Sequence, residues 1–262
     1  MNLERSHHAA IWSVLSRLNP DFLAQNRILF GGGTRIALEL DEYRESVDVD
    51  LFCVGKKSYK AARGEVTNSS FGRLFKPDAN IERHANRDIR ADRDAIRAFI
   101  DPYGDGLNVI KFEIISFDEG VITADTRTDL FPVPFISRTA CYATKLLANA
   151  DRWNNGVKDI IDICMMVDRW GAIPEEAWRL ADDEYGEKVV VRGLEGALNR
   201  LRDEAGETIK TLTDSLKIES AVASRLVNVV AEEVRRTLVN RQAVGLDDSN
   251  ESAHDPNESP DS

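Results

Sequence analysis

The feature that most constrains this chain is a run of three glycines, Gly31–Gly33, between a short apolar segment and a stretch of helical character. Arg27–Phe30 is expected as a strand and Thr34–Leu40 as a helix, so the glycines must make the turn between them. Glycine permits a tight turn and close approach of a ligand to the backbone. Amides in such a turn, and at the N-terminus of the helix after it, are able to face a phosphate. The plain alternative is a turn that only needs flexible residues. The spacing matches neither GxGxxG nor GxxxxGK, which argues against a dinucleotide fold and against a P-loop ATPase.

Arg44-Glu45-Ser46 then leads into a second apolar strand, Val47–Cys53, that carries Asp48 and Asp50. Residues two apart on a strand share a face, about 6–7 Å apart along the backbone. Val47, Val49 and Leu51 point the other way, toward a core. Two acids on one face repel unless a cation lies between them. Such a pair suits Mg²⁺, which prefers oxygen ligands, although an exposed edge pair with no ligand has the same pattern. A third acid, Glu113, sits within the strand Leu107–Ile115. A carboxylate there needs a partner, either a cation shared with Asp48 and Asp50 or a salt bridge to a nearby Lys or Arg.

Around these strands the chain reads as a small mixed sheet with helices, followed by a helical half. An amphipathic helix is expected over residues 5–18, then a short second one after Asn19-Pro20-Asp21. Ser58–Glu65 is expected as a helix, Thr67–Pro77 as loop or weak strand, and Ile81–Ala98 as a charged helix or a strand and helix. Asp101–Gly106 is a turn cluster, and Thr128–Phe135 a short edge strand limited by Pro132 and Pro134. After Ser137 six helices are expected: 138–151, 157–169, 174–182, 189–199, 205–216 and 219–240. This gives an α+β fold with a core domain over 1–136, a helical domain over 137–245 and a disordered acidic tail over 246–262.

That tail carries six carboxylates and no Lys or Arg, so removing it takes the formal charge from −11 to −5. The body stays mildly acidic, which disfavours duplex binding through a wholly basic surface. Two local basic runs remain, Lys56-Lys57-Lys60-Arg63 and the arginines from 83 to 97, as solvated faces or as edges that contact a polyanion. No 18-residue uncharged apolar run exists, so no membrane span is expected. The N-terminus lacks a signal pattern, and a cytoplasmic location is expected. Cys53, Cys141 and Cys164 are isolated in apolar contexts and read as inert thiols. None of the four histidines joins a cluster with zinc spacing, and none is expected to act in catalysis.

The run FGGGTRIALELDEYRESVDVDLF, residues 30–52, resembles the opening of the AbiEii/AbiGii-type nucleotidyltransferase toxin family, which is itself similar to the DNA-polymerase-β-like nucleotidyltransferases. The matching positions are Gly32, Gly33 and Thr34, then Arg44, Ser46, Asp48 and Asp50. The VIKFEI strand resembles the element that carries the family's third acid, which places Glu113 there. Thr144–Leu147 and Lys158–Asp162 resemble two downstream family segments. The resemblance covers residues 28–170. Two departures stand out: Glu113 where many polymerase-like enzymes have Asp, and Lys158 where the family often has Arg, which keeps the charge but loses the guanidinium fork.

The resemblance implies a nucleotidyltransferase core whose helical half completes the cleft. It further implies Mg²⁺ or Mn²⁺ held by Asp48, Asp50 and Glu113, with two ions roughly 3.5–4 Å apart. It places Gly32, Gly33, Thr34 and Ser46 at the phosphates of an NTP substrate. Lys145 would contact the triphosphate or balance the acids; the alternative is an exposed lysine whose stem covers the core. Asp159 would position Lys145 or the nucleotide, and Asp162 would support the fold. The implied activity is transfer of an NMP group from an NTP to an acceptor, RNA such as a tRNA 3′ end by similarity, as a toxin of a toxin–antitoxin or phage-defence system with a possible cognate antitoxin protein as partner. A small-molecule or protein acceptor stays open. So does a non-enzymatic interaction module on the same fold.

Overall fold

The computed structural model describes residues 3–67, 70–79, 81–83 and 88–251. Two helices lead, α1 (Ser6–Arg17) and α2 (Pro20–Gln25). Asn19 caps α2 by accepting from the Phe22 N–H at 3.2 Å, with Pro20 in the first turn where its missing N–H costs nothing. Strand β1 (Ile28–Gly31), helix α3 (Gly32–Glu39) and strand β2 (Asp48–Val54) follow, and α4 (Gly55–Glu65) closes the first unit. After a 3₁₀ turn at Gly72–Leu74 come β3 (Glu82–Arg83), β4 (Arg90–Ala91), β5 (Ala95–Asp101) and β6 (Ile110–Phe117).

The six strands form one mixed sheet ordered β1-β2-β6-β5-β3, with β4 also paired to β5. β2 and β6 run parallel at its centre and the other pairings are antiparallel. Alternation along β2 divides the core. Val49, Leu51 and Cys53 join Phe112, Ile114 and the apolar faces of α1 and α2 on one side. Phe52 and Val54 belong to the core that continues into the helical half. Asp48 and Asp50 therefore face the helical half. That half comprises α5 (Arg138–Arg152), α6 (Lys158–Trp170), α7 (Glu175–Tyr185), α8 (Glu187–Asp203), α9 (Ala205–Leu216), α10 (Ser220–Arg225), a π-turn at Leu226–Val230 and α11 (Ala231–Glu251). Ser137 caps α5 through the Ala140 N–H at 3.1 Å.

The α+β class is as expected, and three local expectations change. Ile81–Ala98 contains no helix among the described residues; residues 84–87 lie outside them. Ile96, Ala98 and Ile100 are fully buried at strand period, and the Asp92 carboxylate turns the chain into β5 by accepting from the Asp94 and Ala95 N–H groups. The charges before them have helical spacing, but burial of alternate apolar residues decides the conformation. Strand β6 begins at Ile110, because the Asp101 carboxylate accepts from Gly104 and Gly106 and holds the preceding residues in a turn. Thr128–Phe135 forms no strand. Its end makes an isolated bridge at the free edge of β1, where Phe30 N–H donates to the Pro134 carbonyl at 2.8 Å. Of the segment 246–262, residues to Glu251 continue α11 and 252–262 lie outside the described residues. The three cysteines are free and buried, and burial pushes the Cys53 and Cys164 thiols up to about 12 and Cys141 to about 11. Among the described residues no helix is long and apolar enough to cross a membrane.

Candidate active site

The pairing of β2 with β6 sets the acids in register: Asp48 lies opposite Lys111 and Asp50 opposite Glu113. Residues opposed across a ladder point to the same face, so Asp48, Asp50 and Glu113 lie on one side of the sheet. β5 extends the row, with Arg97 opposite Glu113. On the other flank Gly31 faces Asp50. The chain then turns at Gly32, whose φ of +71° suits glycine. A Cβ at Gly32 would lie 1.9 Å from Asp50 Oδ2, and one at Gly33 would lie 2.2 Å from Arg44 Nη2. These two glycines are therefore needed for close approach of the α3 backbone to the acids and to Arg44.

A cleft of about 630 Å³ opens over this face. Gly32, Gly33, Ser46, Asp48, Asp50, Glu113, Lys145 and Asp159 all line it. Thr34 does not. It is buried, and its hydroxyl bonds to Ser46 Oγ at 2.7 Å and to the Asp48 carbonyl, tying the start of α3 to the acid-bearing strand. Burial, then the charges of Asp48 and Glu113, push the Asp50 carboxyl up to about 7. Burial also raises Asp48, opposed by Lys111 and joined by Glu113. Glu113 is held by Arg97 Nε at 3.1 Å and by Lys111 Nζ. This is the salt-bridge reading of that residue, realised on the same face as the other acids.

Among the described residues no three His, Cys, Asp or Glu side chains are gathered to hold a metal ion. The Asp48–Asp50 pair does suit a hard cation by its own chemistry. Its donors are carboxylate oxygens, and burial and the neighbouring acids raise both carboxyls against the pull of Lys111.

Lys145 on α5 is buried, with Nζ 2.8 Å from Asp159 Oδ1 and 2.6 Å from Asp162 Oδ2. Burial opposes its charge, but the two carboxylates hold its ammonium above the ordinary range. Asp159 also accepts from Arg152 at 2.6 and 3.0 Å. Asp162 accepts a two-pronged bond from Arg44 at 2.7 and 3.0 Å and another from the Tyr43 hydroxyl. The motif segment 44–50 is thereby bolted to α5 and α6.

His8, given no role from sequence, proves structural to the site. It is fully buried, and its Nε2 accepts from the Ser46 N–H at 3.0 Å. The proton must then sit on Nδ1, which donates to Glu42 Oε1 at 2.6 Å. The signal was present: His8 shares the apolar stripe of α1 with Ile11 and Leu15. Burial lowers the His8 pKa, helped by Arg5 and Arg44 and opposed by Glu42. The unfolded state therefore takes up this proton first as pH falls below about 6.5. His8→Gln, which offers an oxygen to Ser46 but cannot protonate, is expected to lose less stability than the wild type between pH 6.5 and 5. Melting curves across that range check this, and parallel curves would count against it.

Fold and site can be set beside known proteins. The family model described as the nucleotidyl transferase AbiEii toxin of type IV toxin–antitoxin systems matches residues 13–226. In class, then, the chain is a nucleotidyltransferase, built on a mixed sheet with its acids turned to a helical half. JHP933 from Helicobacter pylori is similar in fold, with a TM-score of 0.50 at 11% identity over 93% of this chain and 100% of that one. MenT4, a nucleotidyltransferase toxin from Mycobacterium tuberculosis H37Rv, is 14% identical, covers 92% and 94% of the two chains and has a TM-score of 0.42. An antigenic nucleotidyltransferase-like protein from Paracoccidioides brasiliensis is 19% identical, with 84% and 98% coverage and a TM-score of 0.45. No curated protein matches the chain. The chain belongs to the AbiEii nucleotidyltransferase toxin family.

Proposed function

We propose that the cleft transfers an NMP group from an NTP to the terminal hydroxyl of an RNA, a tRNA 3′ end being the favoured acceptor, and that this modification is the toxic act restrained by an antitoxin. The observation that carries the reading is the placement of Asp48, Asp50 and Glu113 on one face beside the Gly32–Gly33 turn. Asp48 and Asp50 would hold Mg²⁺ or Mn²⁺, with Glu113 joining them if Lys111 and Arg97 release it. Bound there, the ion supplies Lewis-acid neutralisation of the nucleotide's phosphate charge.

The chain's own residues do the rest. Gly32 and Gly33 let backbone amides approach phosphate oxygens, and the Ser46 hydroxyl lies at the same rim. Lys145 spends two donors on Asp159 and Asp162 and keeps a third for the cleft. The acceptor oxygen bonds to the α-phosphorus, the α–β bridging bond breaks and pyrophosphate leaves. The hydroxyl proton passes to a cleft carboxylate, Glu113 being nearest in role. Positioning and fixed charge do most of the work, so no histidine base is required.

An RNA acceptor is supported by a local basic edge on an acidic body. Lys56, Lys57, Lys60 and Arg63 are exposed along α4.

The test offers each α-labelled NTP with Mg²⁺ to total RNA, total protein and a small-molecule pool, with the D48A/D50A protein alongside. Label on RNA that disappears in the double variant is expected. Label on protein or on a small molecule replaces the acceptor. Absence of NTP binding, with variant and wild type indistinguishable, returns the chain to an interaction module.

A further inference from the structure

The segment that leads into the acid-bearing strand is held from outside the cleft. Residues 40–47 join α3 to β2, and Asp41 and Glu42 within them have φ of +58° and +52°. Lys217, at the end of α9, has φ of +55°. Residues other than glycine rarely adopt this left-handed conformation, and it persists where the surroundings enforce it. Among the described residues four non-glycine residues do so, and these three line one recess.

Residues 4–8 supply the enforcement. Arg5 Nε donates to the Glu42 carbonyl at 3.1 Å and Arg5 Nη2 to the Lys217 carbonyl at 2.9 Å, so one guanidinium staples two left-handed residues far apart in the chain. The Glu42 carboxylate accepts from the Glu4 N–H at 2.7 Å, the Arg5 N–H at 3.2 Å and His8 Nδ1 at 2.6 Å. Arg169 adds an ion pair to Asp41, and the Glu45 N–H donates to the Leu216 carbonyl at 2.8 Å.

The staple reaches the cleft through Ser46. The Ser46 N–H donates to His8 Nε2 at 3.0 Å, and its hydroxyl meets that of Thr34. Thr34 gives its one hydroxyl proton to the Asp48 carbonyl, so the Ser46 hydroxyl donates to Thr34. Both Ser46 donors are thereby committed. A continuous line of hydrogen bonds runs from Glu42 through His8, Ser46 and Thr34 to the Asp48 backbone. Arg5, His8 and Glu42 do not line the cleft themselves.

We propose that Arg5 and His8 are positioning residues for the transfer reaction: by clasping Glu42 they hold residues 42–48 in the turn that presents Ser46 and Asp48 to the cleft. The assignment rests on the nucleotidyl-transfer reading above. A scaffold role alone would cost stability and leave the turnover of the folded protein intact.

Three variants separate the two roles, each assayed well below its own melting temperature. His8→Phe keeps the bulk of the ring and removes both hydrogen bonds. His8→Gln returns an acceptor to Ser46. Arg5→Met, at a half-buried position, keeps the stem and removes the staple, so it carries the test where His8→Phe does not fold. Exchange of the Ser46 amide proton with deuterated water, followed by NMR, should quicken about tenfold or more in His8→Phe, as expected for a buried donor left unpaired. It should quicken less in Arg5→Met. At saturating Mg²⁺ the kcat for label transfer should fall about tenfold in His8→Phe and about threefold in Arg5→Met. His8→Gln should stay within about threefold of the wild type.

The proposal is overturned if Arg5→Met and a folded His8→Phe transfer at the wild-type rate, or if His8→Gln does no better than His8→Phe. If the wild type moves no label to any acceptor, the transfer reading fails on its own. Binding of Mn²⁺ at Asp48 and Asp50 then judges the staple. Affinity lost most in His8→Phe and least in His8→Gln keeps it, and equal affinity in all four proteins removes it.

Discussion

Asp50→Asn is expected to abolish nucleotidyl transfer and, in metal-free buffer at pH 8, to make the protein more stable. Both effects come from crowding of acids on one sheet face. Asp50 lies between Asp48, two residues away on its own strand, and Glu113 directly across the ladder. Burial and these two neighbours move its carboxyl from 3.8 to about 7. The unfolded chain therefore releases this proton near pH 4, whereas the folded chain keeps it to about pH 7. The folded state binds more protons in that window, so stability falls as pH rises through it. Asparagine never ionises and escapes the whole loss. Each pKa unit corresponds to about 1.4 kcal/mol. The cleft is open to water, so a discounted gain of roughly 1–3 kcal/mol is expected at pH 8, shrinking toward zero near pH 4.

Denaturant midpoints for wild type and variant, measured from pH 4 to 8, test the sign. Coincident midpoints throughout would remove the electrostatic account of the site. Millimolar Mg²⁺ should raise the wild-type midpoint, because binding to the folded state stabilises it, and should do little for the variant. The activity loss should be at least about a thousandfold, since removing a ligand charge forfeits several kcal/mol of transition-state stabilisation. On the proposed reading, the residue that would hold the cation also makes the metal-free fold less stable, a conflict expected where local rules yield to function.

The half of the site that was legible in the sequence is the half written in local pattern. Alternation in Val47–Cys53 puts Asp48 and Asp50 on one face whatever their neighbours do. Gly31–Gly33 announce the turn beside them. Lys145, Asp159 and Asp162 were indicated by the resemblance of their segments to the family, and nothing in their spacing reveals that Lys145 is clamped between the two acids. The remainder depends on register and packing. That Lys111 and Arg97 hold Glu113 follows only once β6 is placed between β2 and β5. Arg97 was further obscured by charges at helical intervals around a segment that folds as a strand. His8 looked peripheral because it is seven residues after a chain end, yet α1 docks that end beneath Ser46. The π-turn at Leu226–Val230 that interrupts the last long helix has no visible sequence cause.

Asp162→Asn should be the most destabilising polar substitution in the molecule, by about 3–5 kcal/mol. Asp162 is fully buried and serves two cations at once, Arg44 through both carboxylate oxygens and Lys145 at 2.6 Å. Those cations hold its carboxyl well below the usual range, against the effect of burial. Removing its charge leaves Arg44 without an acid and Lys145 with Asp159 alone. The reverse deletion is milder. Lys145→Met leaves Asp159 with Arg152 and Asp162 with Arg44, so each acid keeps a guanidinium. A loss of about 1–3 kcal/mol is expected there. The two substitutions differ again in activity. Lys145→Met removes an ammonium from the cleft wall and should lower turnover even where the protein is fully folded. Asp162→Asn acts through the seating of residues 44–50, and its turnover should recover in part when the fold is stabilised by osmolyte. Combining the two relieves one stranded cation, so the double variant should be less destabilised than the sum of the singles. Urea midpoints and turnover on the four proteins decide the matter. If Lys145→Met proves the more destabilising of the pair, Asp162 is not the anchor between the acid-bearing strand and the helical half.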